Sequence, residues 1–264
     1  MPRAKRRLGQ HFLTDPRLLG RIADALGAGP DDTVLEIGPG HGGLTGALAE
    51  RAGRVVAVEK DRELVPALRE RFPGVTVVED DALEADWHAL AGPHFLVAGN
   101  IPYNITSPLI DKALEPPLPT RIVFLVQKEV ADRVTARPGT PEYGALSVGV
   151  QSVARAERLF TVPAGAFQPR PQVDSAVLRL TPLEALLVPA EMQGRLRRLV
   201  VALFGFRRKQ LARGLREVTG WRAEEVATLL ARAGLEATAR PEVLAPAEFA
   251  RLLGGLVDAG WPAR

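Results

Sequence analysis

The sequence predicts an α/β fold: a mostly parallel sheet built from βαβ units, an antiparallel strand at one edge, and a small all-helical C-terminal domain. Three observations carry that expectation. Apolar, β-branched runs alternate with helical periodicity through the first two-thirds of the 264 residues. The rhythm changes after residue 126, and β character ends around Thr181-Pro182. From Glu191 onward the pattern is helical, with stops near Gly220, Gly234 and Pro241.

Taken in order, strands are expected at residues 33–37, 55–58, 75–78, 95–98 and 122–126, where short apolar runs end at turn residues. Helical spacing fills the gaps between them, for example at 44–51 and 64–71. A further helix near 146–153 leads to a strand at 157–162, a proline-rich loop "PAGAFQPRPQ" and an alternating strand at 175–180. The last two strands suit a hairpin at one sheet edge. The domain division is placed near 181–190, giving a catalytic domain at 1–183, with a basic arm at 1–14, and a helical domain at 184–264.

The composition, 46% hydrophobic and 25% charged, is that of a globular chain with a sizeable core. The absence of cysteine removes disulfides, thiolate nucleophiles and Cys-based zinc sites, and suits a reducing cytoplasm. No apolar run is long enough to cross a bilayer, and the basic start "MPRAKRRLGQHF" lacks the apolar core of a signal peptide. No membrane partner is expected. The formal net charge is +3, but it is unevenly spread. Arg3, Lys5, Arg6 and Arg7 face no acid in the arm, and 184–264 holds 13 basic against 9 acidic residues. Two basic segments around a slightly acidic centre suit a polyanion such as RNA; a solvated surface fits the same count.

The segment "VLEIGPGHGGLTGAL" reads as strand, glycine turn and helix start. Gly38 and Gly40 let the backbone turn sharply and approach a ligand. A tight turn without ligand fits the glycines too. So does a dinucleotide, because Gly38, Gly40 and Gly43 satisfy GxGxxG with Glu59 about twenty residues on. Three acids favour S-adenosylmethionine (SAM). Glu36 inside the strand can attract a cationic methionyl end. Glu59 can accept from both ribose hydroxyls, and Asp81 from the adenine amine. All three end strands at the edge where open α/β sheets bind ligands. The four histidines, 11, 41, 88 and 94, form no motif, so neither a hydride-transfer partner nor a metal site is read.

The fourth strand delivers "NIPYN" to the same edge. An aromatic amine such as adenine N6 is a poor nucleophile because its lone pair is delocalised into the ring. The side-chain carbonyl of Asn100 and the backbone carbonyl of Pro102 can each accept one N–H and hold that nitrogen pyramidal. Ile101 is extended because proline follows it. Tyr103 offers a face on which a flipped base can stack. A plain proline turn is the bland alternative.

With both segments in view, the chain resembles the small-subunit ribosomal RNA adenine dimethyltransferase family over nearly its whole length. "RRLGQHFLTDP" is similar to that family's arm, "EIGPGHGGLT" to its SAM loop and "GNIPYNITSPL" to its catalytic loop. "LVQKEVADRVTARPG", "AFQPRPQVDSAVLRL" and "FGFRRKQLARGL" extend the match. The resemblance implies a Rossmann-like class I SAM-dependent methyltransferase sheet and S-adenosylhomocysteine as product. It also implies dimethylation of N6 on two adjacent adenines in the 3′-terminal hairpin of 16S rRNA, within the small subunit or its precursor, during subunit biogenesis. A monomer is expected. Carried over by position, His11, Leu13, Gly38, Glu59, Asp81 and Asn100 contact the cofactor. Tyr103 and Phe167 sandwich the target adenine, and Arg207, Arg208 and Lys209 meet rRNA phosphates. The chain departs from the family at His11, usually asparagine, and at Gln172, commonly lysine. A large-subunit methyltransferase of the macrolide-resistance type shares NIPY and the phenylalanine loop, and a non-catalytic assembly factor would share the fold.

Overall fold

The computed structural model describes residues 9–261, and the arm's Arg3, Lys5, Arg6 and Arg7 lie outside them. The chain divides into two compact units, one running up to Ala131 and resuming at Ala156–Pro182, the other made of Asp132–Arg155 and Leu183–Arg264. Residues 132–155, read from sequence with the first domain, thus group with the C-terminal residues. Packing explains why. Tyr143 is fully buried and its hydroxyl donates to the Leu244 carbonyl at 2.7 Å. Ala136, Tyr143 and Val148 share one core with Leu199, Leu203 and Phe249.

In the first unit the strands are β1 (Phe12–Leu13), β2 (Thr33–Ile37), β3 (Arg54–Glu59), β4 (Thr76–Glu79), β5 (Leu96–Asn100) and β6 (Arg121–Gln127). Then follow β7 (Ala154–Val162), β8 (Phe167–Gln168) and β9 (Ser175–Pro182). The main sheet has the order β4-β3-β2-β5-β6-β9-β7. Strands β2 to β6 pair in parallel, and β9 runs antiparallel to β6 with β7 outside it. Val34, Leu35, Val56, Ala57, Val97, Ala98, Val123 and Phe124 are all buried, so the central strands are covered on both faces. This is why they read as unbroken apolar runs rather than alternating ones.

Strand order reverses between β2 and β5, which leaves a crevice beyond their carboxyl ends. Gly99, paired with Ile37 across that boundary, keeps the two strands in register. A Cβ there would lie 2.6 Å from the Ile37 carbonyl oxygen and 2.8 Å from Ile101 Cδ1.

A second, two-stranded sheet was not anticipated. β1 pairs antiparallel with β8, Phe12 opposite Gln168 and Leu13 opposite Phe167. It ties the N-terminal arm to the proline-rich loop, and Thr14 N–H extends the tie to the Ala166 carbonyl at 3.2 Å. The chain then enters the helix Pro16–Leu26, capped by Asp15, which accepts from Arg17 N–H at 2.8 Å. That helix buries Ile22, Ala23 and Leu26 and stops at left-handed Gly27.

The second unit is helical at Gln193–Gly205, Leu211–Thr219, Ala223–Ala233 and Pro246–Asp258. Among the described residues no helix is long and apolar enough to cross a membrane.

Gly99→Ala must push a strand backbone aside, so we expect a loss of about 1–3 kcal/mol in urea denaturation together with weaker SAM binding. Unchanged values for both would remove Gly99 as the spacer of the crevice.

Candidate active site at the switch point

The cleft beyond β2 and β5 holds about 190 Å³ and is walled by the glycine loop, the ends of β3 and β5, the Asp81–Leu83 loop and the arm. Gly38, Gly40 and Gly42 have φ of 67°, 59° and 78°, a backbone that side chains other than glycine strain to adopt. A Cβ on Gly40 would also meet Phe12 Cε1 at 2.7 Å, so the arm packs directly on the loop. Phe12 lies 4.1 Å from His41, centroid to centroid, across the same loop.

Glu59 organises this wall from within. One carboxylate oxygen accepts from Gly40 N–H at 3.0 Å and the other from Asp61 N–H at 2.7 Å. Burial raises its pKa, against the pull of those two amides. Each oxygen keeps a second lone pair, so two further donors can still be received. Asp81 is more exposed and already paired: Lys60 donates to Oδ2 and Leu83 N–H to Oδ1 at 3.0 Å. Burial works against its charge, but the bonds from Lys60 and Leu83 and the charges of Lys60 and Lys112 outweigh it, leaving its pKa below the usual value. A ligand amine at Asp81 therefore competes with Lys60, a residue the sequence reading did not single out. Gln10, another, lines the cleft and donates to Asp61 Oδ2 at 3.3 Å.

Glu36 is elsewhere. It is 1% exposed and absent from the cleft wall. Burial, with the nearby Glu59 adding to it, drives its pKa up to about 8; the Thr45 hydroxyl opposes this in part. Oε2 of Glu36 and Oγ1 of Thr45 nonetheless make no hydrogen bond of acceptable geometry. Glu36 is thus not among the groups the structure brings to the cleft, and burial favours its neutral form over the cation-attracting one expected from the sequence.

Asn100 ends β5 in the cleft, and its Nδ2 donates to the His11 carbonyl at 2.7 Å. With the amide nitrogen so engaged, no described residue donates to its Oδ1. Pro102 departs from expectation. Its carbonyl already accepts from Ile105 N–H at 3.1 Å and Thr106 Oγ1 at 3.2 Å, which start the helix Thr106–Ala113. Both lone pairs are spent on that turn. The carbonyl of Ile101, a cleft residue, receives no hydrogen bond from any described residue. Tyr103 is fixed by a 2.7 Å bond between its hydroxyl and Ser175 Oγ, and its ring stacks on His11.

Leu13 and Phe167 are buried opposite each other in the β1–β8 pair, in the sheet's core cluster and outside the cleft wall. Among the described residues, Tyr103 makes its ring contact with His11 and none with Phe167. In the helical unit, Arg207 is held by Glu242 and donates to the Pro141 carbonyl at 3.0 Å, a structural engagement. Arg208 and Lys209 beside it are exposed and have no side-chain partner among the described residues. The described residues contain no group of three or more His, Asp or Glu placed to hold a metal ion.

The family model for ribosomal RNA adenine dimethylase matches residues 1–252. The chain belongs to that family. A ribosomal RNA small subunit methyltransferase A of Geobacter sulfurreducens is 43% identical over 98% of this chain and 97% of its own length. Its namesake from Aromatoleum aromaticum is 46% identical over 81% of this chain and 82% of its own. Among solved structures, the 23S rRNA methyltransferase ErmE superposes with a TM-score of 0.74 at 31% identity, covering 93% of this chain and 99% of that one. A dimethyladenosine transferase from Plasmodium falciparum gives 0.83 at 26% identity, covering 95% and 99%.

This dimethylase is a class I methyltransferase that uses SAM, and its residues fit that donor. The left-handed glycines shape a cleft wall on which a Cβ at Gly40 would collide with Phe12, and Glu59 retains acceptor capacity for paired hydroxyls.

Glu36 sets a pH dependence. Its folded pKa of about 8 lies above the ordinary 4.5, so the stability from its neutral form is full below 4.5 and is lost as pH rises through about 8. Glu36→Gln should flatten the melting temperature between pH 5 and 8 and exceed the parent at pH 8 by on the order of 3 kcal/mol. Parallel curves for the two proteins would show that Glu36 is ionised in the fold.

Proposed function

We propose that this dimethylase transfers methyl groups from SAM to N6 of two adjacent adenines in the 3′-terminal hairpin of small-subunit rRNA, dimethylating each. The observation that carries this is the orientation of Asn100. With Nδ2 committed to the arm, Oδ1 of this cleft residue is read as the acceptor offered to substrate, and the Ile101 carbonyl as the second. Together they receive the two N–H groups of the target amine and draw its lone pair out of conjugation. This replaces the assignment to Pro102. Bound SAM supplies an electrophilic methyl group. Neither acceptor is a strong base, so the residues contribute by positioning and electrostatics, and the displaced N–H proton leaves to solvent.

The cofactor set is read as Gly38, Gly40, Glu59 and Asp81 with the arm, and Tyr103 as the platform for the flipped base. Choice of the small subunit over the large rests on relatives of that name at 43% identity, against 31% for the 23S enzyme. The helical unit, through Arg208 and Lys209, is read as the phosphate-binding part. The enzyme is read as acting as a monomer in the cytoplasm during subunit biogenesis.

Labelled SAM incubated with unmethylated small subunits should leave label on two neighbouring adenines, and Asn100→Ala should slow this roughly 10²- to 10³-fold while SAM affinity changes little. Full activity in that variant, or label elsewhere, would sink the assignment. Replacing Arg208 and Lys209 by alanine should lower the slope of log K against log salt by roughly 1–2. A slope identical to the parent's would return both residues to an ordinary surface.

A further inference from the structure

The short helix Thr106–Ala113 touches the site at both of its ends. Its first residue closes the catalytic turn, since the Thr106 hydroxyl donates to the Pro102 carbonyl at 3.2 Å. Near its last residue, Lys112 reaches the loop that follows β4. The Lys112 ammonium donates to the Leu83 carbonyl at 2.7 Å and to the Ala85 carbonyl at 2.8 Å. It also lies 5.6 Å from the centre of the Trp87 ring, a cation–π contact.

What this grip does follows from the loop's other hydrogen bonds. The Asp81 carbonyl accepts from Glu84 N–H at 2.9 Å and from Ala85 N–H at 2.8 Å, and Asp81 Oδ1 accepts from Leu83 N–H at 3.0 Å. The Ala82 carbonyl is taken by Trp87 Nε1 at 2.9 Å. Among the described residues, no backbone amide is bonded to the Leu83 or the Ala85 carbonyl. Lys112 holds both. Each is a charge-assisted bond, stronger than one between neutral groups, and a carbonyl stripped of it is left to find water or to shift the turn. Asp81, Ala82 and Leu83 line the cleft, whereas Lys112 stands outside its wall. Its influence on a ligand therefore passes through the loop alone.

We propose that Lys112 is a positioning residue for the adenine of the cofactor: by clamping the Leu83 and Ala85 carbonyls it holds the loop in the shape from which Asp81 accepts the adenine amine. This rests on the reading of Asp81 as the adenine acceptor. The consequence is selective. Releasing the clamp costs affinity for a ring that carries the amine and leaves the contacts at Glu59 and the glycine loop as they were.

The test compares wild type with Lys112→Met, which keeps an unbranched side chain and removes the ammonium. Dissociation constants are measured for S-adenosylhomocysteine and for its analogue with purine in place of adenine, which lacks only the amine. The KM for SAM and kcat are recorded with unmethylated small subunits. Lys112→Met should bind S-adenosylhomocysteine roughly 5- to 30-fold more weakly and the purine analogue within about twofold of wild type. KM for SAM should rise while kcat stays nearly constant. Lys112→Arg restores a cation with several donors and should recover most of the lost affinity. Should the methionine variant not fold, Lys112→Gln carries the same comparison, with a loss in the same direction. The proposal is overturned by equal weakening of both ligands, which would make Lys112 a general brace of the fold. Unchanged binding of S-adenosylhomocysteine, a fall in kcat at constant KM, or Lys112→Arg behaving like Lys112→Met would overturn it too. Equal affinity of the wild type for the two ligands would instead overturn the assignment of Asp81 on which it rests.

Discussion

The hydrogen bond from Asn100 Nδ2 to the His11 carbonyl joins the catalytic strand to the arm, and most of the site's chemistry depends on it. A primary amide can present either its donor or its acceptor to a substrate, and the two choices have opposite consequences for an amine. By spending the donor on a backbone carbonyl 89 residues away in sequence, the fold leaves the acceptor for the cleft. The same bond orders the arm over the glycine loop, where Phe12 closes on Gly40. One contact thus sets both the polarity of the catalytic group and part of the wall of the cofactor cleft.

That contact is supported from several sides. Gly99 holds β5 close to β2, so Asn100 emerges beside the glycine loop rather than above it. Glu59 pulls the loop and the end of β3 together through Gly40 and Asp61. The β1–β8 pair fastens the arm to the proline-rich loop, which is also held by buried Ala164 and by the bond from Ala164 N–H to Asp174. Lys112 steadies the opposite wall by donating to the Leu83 and Ala85 carbonyls at 2.7 and 2.8 Å. The acceptors that remain for a substrate are those that the fold has not used.

Much of this was legible in the sequence, and the parts that were not share a cause. The five parallel strands, the glycine loop and the NIPY turn are local features, written in runs of a few residues. The β1–β8 pair joins segments about 155 residues apart, and no local signal announces it. Pro102 reads from sequence as a free acceptor, but the Ile105 amide and the Thr106 hydroxyl take its carbonyl, and only the three-dimensional turn reveals that. Glu36 reads as a charge in a motif; its depth in the sheet raises its pKa and keeps it out of the cleft wall. Arg207 reads from sequence as the first of three equivalent cations, whereas Glu242 and the Pro141 carbonyl hold it in the fold. In each case residue type was read correctly and its partner was not.

The central claim is that the target nitrogen is held by the Asn100 side-chain carbonyl and the Ile101 main-chain carbonyl. A crystal structure of the enzyme with a SAM analogue and an adenine nucleotide in the cleft tests it directly. The account predicts N6 at about 2.7–3.2 Å from both Asn100 Oδ1 and the Ile101 oxygen, with the Pro102 carbonyl still bound to Ile105 and Thr106. An N6 bonded to the Pro102 carbonyl, or an Asn100 amide turned away from His11, would contradict it.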